Sequence, residues 1–293
     1  MDQAEQLRNI VKNQEVTPSR HSARVITVTS GKGGVGKTSV SINLAITLSR
    51  LGKRVIVLDA DFGLANIEIM LGIRPKFNLA DLMFKGKSIK DIVTYGPENI
   101  GFISGGSGIN EMANLSRDQI VQLIQKMYEL DQLADVIIVD TGAGIGDAVL
   151  EFVAASSEVL LVATPEPTSI TDAYALLKSL NRCGSFQPGV TTVKMIANQV
   201  RTSSDAEELF TKIGTVVSKF LNIDVEFLGE IPYDVNVPKA VMKQEPVTMA
   251  APNSPAAKAI MEIVHKIENI EVPEERRGIM QLFASVIRMR IHK

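Results

Sequence analysis

The chain has 293 residues, 45% of them hydrophobic and 22% charged, which suits a globular enzyme with a sizeable buried α/β core. A formal net charge of −2 excludes a global basic field for nucleic acid, so any such contact needs a local patch. The lone cysteine, Cys183, excludes an internal disulfide and a cysteine-only metal cage, as expected of a reducing cytoplasm.

Residues 1–23 are polar and do not read as a signal peptide. A short helix is predicted from Asp2 to Gln14, before a breaker at Pro18. Ala4, Leu7, Ile10 and Val11 recur every three to four residues and form a narrow apolar stripe. A stripe this thin cannot hold a short helix alone; it suits folding into the groove of a partner, the alternative being a frayed polar tail.

Residues 24–272 alternate short apolar runs with longer helical stretches. Strands are predicted at Val25–Thr29, Val55–Leu58, Ile100–Ile103, Val136–Val139, Val159–Ala163, Val193–Ala197 and Glu226–Leu228. Helices are predicted at Ser39–Arg50, Arg117–Leu130, Thr171–Asn181 and Asp205–Phe220, among others. This alternation specifies a three-layer α/β fold, a mostly parallel sheet with helices on both faces and ligands at the carboxyl ends of the strands. No apolar run approaches the roughly 18 to 20 residues of a membrane-spanning helix.

The first strand runs into Ser30-Gly31-Lys32-Gly33-Gly34-Val35-Gly36-Lys37-Thr38 and then a helix, which is the order of a P-loop. Its glycines let backbone N–H groups approach phosphate oxygens, and the helix N-terminus adds partial positive charge. Lys37 is placed to reach the β- and γ-phosphates, Thr38 to ligate magnesium, and Ser39 to reach the α-phosphate. The alternative, a glycine-rich turn without a ligand, leaves the full motif unexplained.

The second strand ends in Asp59-Ala60-Asp61. Carboxylates beside a P-loop can hold the magnesium shell and position an attacking water, or they can cap the next helix. The strand Val136–Val139 ends in Asp140-Thr141-Gly142-Ala143-Gly144, an aspartate placed for magnesium followed by a loop free to move. After Val193–Ala197 stands Asn198, a base contact or an ordinary turn residue. Gln199-Val200-Arg201 follows it, so the guanine-reading Asn-Lys-x-Asp pattern is absent there and ATP is the expected nucleotide.

Residues 273–293 form a third region, predicted as an amphipathic helix. From Arg276 it holds Arg276, Arg277, Arg288, Arg290 and Lys293 and no carboxylate. Ile279, Met280, Leu282, Phe283, Val286, Ile287, Met289 and Ile291 fall on one broad side. Such a helix suits the headgroup plane of an anionic membrane, or the surface of its own domain. Arg290 interrupts the apolar arc, with a stem long enough to snorkel.

The segment Lys32-Gly33-Gly34-Val35-Gly36-Lys37-Thr38 resembles the deviant P-loop of the MinD/ParA family, over about residues 24–270. The resemblance implies an ATPase that binds ATP and Mg2+ and forms a homodimer with ATP. It implies that Lys32 reaches the phosphates of the other subunit, that Asp61 positions the water, and that Asp59 and Asp140 serve the metal with Thr38. Asn198 matches the family's adenine contact, and Pro232, in Ile231-Pro232-Tyr233-Asp234, the loop over the base. Gly142 departs from the family's usual proline.

Iron–sulfur relatives need paired cysteines, which this chain lacks. DNA-partitioning relatives need a basic surface or DNA-binding module, which the sequence does not display. Membrane-cycling relatives carry a C-terminal amphipathic helix. Within that branch, Asp2-Gln3-Ala4-Glu5-Gln6-Leu7-Arg8 and Pro165-Glu166-Pro167-Thr168-Ser169-Ile170-Thr171-Asp172-Ala173-Tyr174-Ala175 resemble the flagellar number and placement ATPases. That implies a signal-recognition-type GTPase, FlhF, as partner of Asp2, Gln3, Leu7 and Arg8, with Gln3 aiding its hydrolysis. It also implies anionic lipid as partner of Ile279, Leu282, Phe283, Val286 and Ile287, peripheral attachment at the inner face of the membrane in the ATP state, and contacts with flagellar basal-body components. In the ADP state the same helix is free to fold back on the protein.

Overall fold

Apolar residues alternate between two helix layers along the central strands: Ile56 and Leu58 enter one core, Val55 and Val57 another. The computed structural model describes residues 23–61, 66–106, 126–127, 129–184, 186–270 and 278–291. Its strands are β1 (Arg24–Ser30), β2 (Val55–Ala60), β3 (Thr94–Tyr95), β4 (Gly101–Ile103), β5 (Val136–Ala143), β6 (Glu158–Ala163), β7 (Thr192–Val200) and β8 (Val225–Pro232). They form one sheet in the order β3-β4-β2-β5-β1-β6-β7-β8, in which β3 pairs antiparallel with β4 and the other pairs are parallel. The expected α/β architecture stands. β3 was not predicted, because two residues carry no periodicity.

Among the described residues the helices are α1 (Lys37–Arg50), α2 (Asn66–Leu71), α3 (Leu79–Phe84), α4 (Ile89–Ile92), α5 (Asp147–Ala155), α6 (Pro167–Asn181), α7 (Ser203–Phe220), α8 (Asn236–Met242), α9 (Val247–Ala250), α10 (Pro255–Glu268) and α11 (Ile279–Ile291). Helix α1 starts two residues before the predicted Ser39, because Gly36, at φ 89°, turns the loop directly into it. Most of the predicted helix Arg117–Leu130 lies outside the described residues, as does the segment 1–22.

Helix α11 forms where the amphipathic pattern places it, and its apolar side is covered. Ile279, Leu282, Phe283 and Val286 are buried with α5 residues Phe152 and Ala155. The rings of Phe152 and Phe283 meet edge to face at 5.8 Å. The lipid-facing residues expected from the sequence are thus turned onto the domain; the side chain of Ile287 lies outside the described residues.

Asp131 anchors the start of this helix. Its Oδ1 accepts the Ile279 N–H at 3.4 Å, and its carboxylate also takes a backbone hydrogen bond from Ala23. Burial pushes Asp131 up to about 6, partly opposed by these two bonds. The folded protein therefore holds this proton to a higher pH than the unfolded chain does. The contribution of Asp131 to stability is most favourable below the usual carboxylate range and is lost as pH rises through about 6. Asp131→Asn keeps an acceptor and removes the charge. It is expected to raise Tm at about pH 7.5 and to leave Tm unchanged at about pH 4 in thermal melts.

Candidate nucleotide site

The strand order brings together what the sequence separates. β5 lies between β1 and β2, with Asp140 opposite Asp59 and opposite Val28. The P-loop leaves β1 beside both aspartates.

Lys37 is buried and donates from Nζ to Asp140 Oδ1 at 3.2 Å. Ser41, one turn further along α1, donates to the same oxygen at 2.9 Å, and the Thr38 side chain also bonds to Asp140. The sequence reading missed Ser41, although its i+4 spacing from Lys37 puts both on one helix face. Burial raises Asp140 above the usual carboxylate range, against the opposing pull of Lys37. Asp59 is pushed up to about 7, first by burial and then by the neighbouring Asp140.

Asp59 Oδ2 and Asp140 Oδ2 are both buried without a hydrogen-bond partner. Two unpartnered carboxylate oxygens on adjacent strands, with a threonine hydroxyl beside them, fit a hard divalent cation. Among the described residues no group of three or more His, Cys, Asp and Glu is placed to hold a metal by itself. Magnesium takes few protein ligands and fills its shell with phosphate and water.

Asp61 follows β2 and is half-buried. Its backbone N–H donates to Asp59 Oδ1 at 3.1 Å, and its Oδ2 accepts from Asn66 Nδ2 at 3.0 Å. Gly142 lies alongside; a Cβ there would stand 3.4 Å from Asp61 Oδ1. Gly144 N–H donates to Ser30 O at 2.9 Å, tying the loop after β5 to the P-loop.

Gly31 packs on α6 so closely that a Cβ would lie 2.2 Å from the Asp172 backbone, so the loop admits no side chain at this position. Gly33 and Gly34 are exposed, Val35 is buried, and Ser39 is half-buried. Lys32 has a partner in its own chain. Its Nζ donates to Glu166 Oε2 at 2.6 Å and to Thr168 Oγ1 at 2.8 Å. Neither contact was legible in the sequence, since Glu166 comes from the loop after β6 and Thr168 from the first turn of α6.

A cavity of about 500 Å3 adjoins the P-loop, lined by Gly36, Ser39, Asn198, Pro232, Tyr233 and the α8 residues Val237, Val241 and Met242 among others. Its largely apolar wall suits a nucleobase. Asn198 is buried at its edge and donates from Nδ2 to Val35 O at 2.7 Å, so this amide braces the P-loop.

A strand-to-helix phosphate loop, a buried lysine–aspartate pair and carboxylates at the ends of two adjacent parallel strands define a P-loop ATPase. A family model for ParA, described as NUBPL iron-transfer P-loop NTPase, matches residues 21–268. The chain is 44% identical over 265 residues to the antiactivator FleN of Pseudomonas aeruginosa, covering 90% of this chain and 93% of that protein. It is 30% identical over 292 residues to the flagellum site-determining protein YlxH of Helicobacter pylori, covering 96% of each. The septum site-determining protein MinD of Pyrococcus horikoshii, solved with Mg-ADP, shares the fold with a TM-score of 0.65 at 22% identity, over 84% of this chain and 96% of that one. The chain belongs to the ParA/MinD family of P-loop ATPases.

Proposed function

We propose that this ATPase is a dimerisation-switched regulator of flagellar number and placement, of the FlhG (YlxH) type, that cycles on the membrane and stimulates an FlhF-type GTPase. One observation carries the membrane cycle. α11 is docked on α5, and α5 is joined by residues 144–146 to β5, the strand that holds Asp140. A change at the phosphates that moves this loop reaches the surface holding α11 directly. The flagellar assignment is supported by the similarity to FleN and YlxH.

In this reading Gly31–Thr38, with Ser39, cradles the phosphates, and Thr38, Asp59 and Asp140 hold magnesium. The metal supplies charge neutralisation at the phosphates. Asp61 orients the attacking water. Lys32 leaves Glu166 and Thr168 and stabilises charge in the other subunit, which makes turnover depend on assembly. Asn198 and Pro232 contact the base. Two amphipathic helices in one ATP dimer bind anionic lipid with more avidity than one. Asp2, Gln3, Leu7 and Arg8 make the contact with the GTPase.

Size-exclusion mass and sedimentation with anionic vesicles, each with ATP and with ADP, test the cycle. A dimer that pellets with ATP and a monomer that stays in solution with ADP are expected; equal pelleting in both states overturns it. The full chain should raise the GTPase rate of FlhF, and a chain lacking residues 1–22 should not. Equal stimulation by both removes the N-terminal contact.

A further inference from the structure

Helix α8 walls the base cavity with Val237, Val241 and Met242, and the chain turns sharply just past its end. There Gln244 adopts φ 56°, a left-handed conformation that glycine takes freely and L side chains avoid. The turn is closed by Gln244 N–H to Val241 O at 3.0 Å and Glu245 N–H to Ala240 O at 3.1 Å. A glycine would satisfy this backbone, so the glutamine side chain needs its own explanation.

That side chain crosses to α2. Gln244 Nε2 donates to Ile69 O at 2.9 Å, a carbonyl in the last turn of α2 that also accepts the Gly72 N–H at 3.3 Å. The amide lies against Gly72, where a Cβ would stand 3.1 Å from Gln244 Oε1 and 3.2 Å from its Cβ. Gly72 thus leaves room for the contact. The other end of α2 begins with Asn66, which donates to Asp61 Oδ2. Helix α2 is six residues long, about 9 Å, so its two ends move as one body.

We propose that Gln244 is a positioning residue for hydrolysis, coupling the wall of the base cavity to the short helix that holds Asp61 through Asn66. A base seated against α8 fixes the end of that helix, Gln244 transmits the fixed position to α2, and Asn66 holds the Asp61 carboxylate in the orientation that aligns water. The proposal rests on the water-positioning role of Asp61 given above.

Variants of the full chain test it, measured for ATP affinity, Tm, KM and kcat. Gln244→Gly suits the left-handed backbone and removes the clasp; Gln244→Glu keeps the length and removes the donor. Each is expected to retain ATP affinity within about twofold and to lose about tenfold in kcat, the scale of a small misplacement of a reacting group. Combined with Asn66→Ala, Gln244→Gly should add no further loss, because the two act in series. An unchanged kcat in both Gln244 variants, a raised KM at constant kcat, or additive losses in the double variant would each overturn the proposal. Asp61→Ala, assayed alongside, separates the two claims. If it hydrolyses ATP normally the role of Asp61 fails; if it is inactive while Gln244→Glu and Gln244→Gly are normal, only the coupling fails.

Discussion

Asp61→Ala is expected to lower the rate of ATP hydrolysis by on the order of a hundredfold or more, the range over which positioned acid–base groups act, and to accumulate an ATP-bound dimer. The carboxylate stands between the ends of β2 and β5, held by Asn66 at 3.0 Å and packed against Gly142, where a Cβ would meet its Oδ1 at 3.4 Å. It makes no bond to the P-loop lysine, which is engaged by Asp140. Removing it therefore leaves the Lys37–Asp140 pair and the unpartnered oxygens of Asp59 and Asp140 in place. Affinity for ATP should stay within a few-fold, while single-turnover hydrolysis and release from the dimer fail together. Hydrolysis at the ordinary rate would show that another group orients the water.

Phe152→Ala should uncouple vesicle binding from the nucleotide. Phe152 belongs to the domain and faces α11 across the edge-to-face contact with Phe283, both rings being fully buried. Truncating a buried phenylalanine costs about 3–5 kcal/mol in a core that cannot collapse. Here part of that cost is relieved by undocking α11, which exposes the apolar face without altering it. The variant should pellet with anionic vesicles in ADP nearly as well as in ATP, with a lower Tm and preserved ATP binding. Phe283→Ala is the control: it weakens docking and lipid insertion alike, so it should not gain binding in ADP. If Phe152→Ala remains as dependent on ATP as the unaltered protein, docking on α5 is not what gates the helix.

The phosphate site is legible in the sequence because its chemistry is local. A strand, a glycine-rich loop, Lys37 and Thr38 lie within fifteen consecutive residues, Arg24 to Thr38, and the short continuous apolar runs around them read as buried parallel strands. Asp140 was legible for the same reason, as a carboxylate closing an apolar run. Lys32 stood out through the resemblance of its loop to the MinD/ParA family, but its partners Glu166 and Thr168 lie more than 130 residues away and no periodicity announces them. Gln244 gave no signal, since a glutamine carries no propensity for positive φ. Only the contact with Ile69 explains it.

By itself the sequence determined the alternation of strands and helices, the phosphate loop, the two carboxylate-bearing strand ends and the amphipathic character of α11. Each of these follows from neighbours within a few turns of chain. The tertiary structure alone decided that β5 lies between β1 and β2, which sets Asp59 opposite Asp140, each with one buried carboxylate oxygen left unpartnered. It also decided what covers α11. An apolar stripe opposite a basic one has the same period whether its partner is lipid or protein, and burial against Phe152 is a property of the packed domain that no helical period encodes.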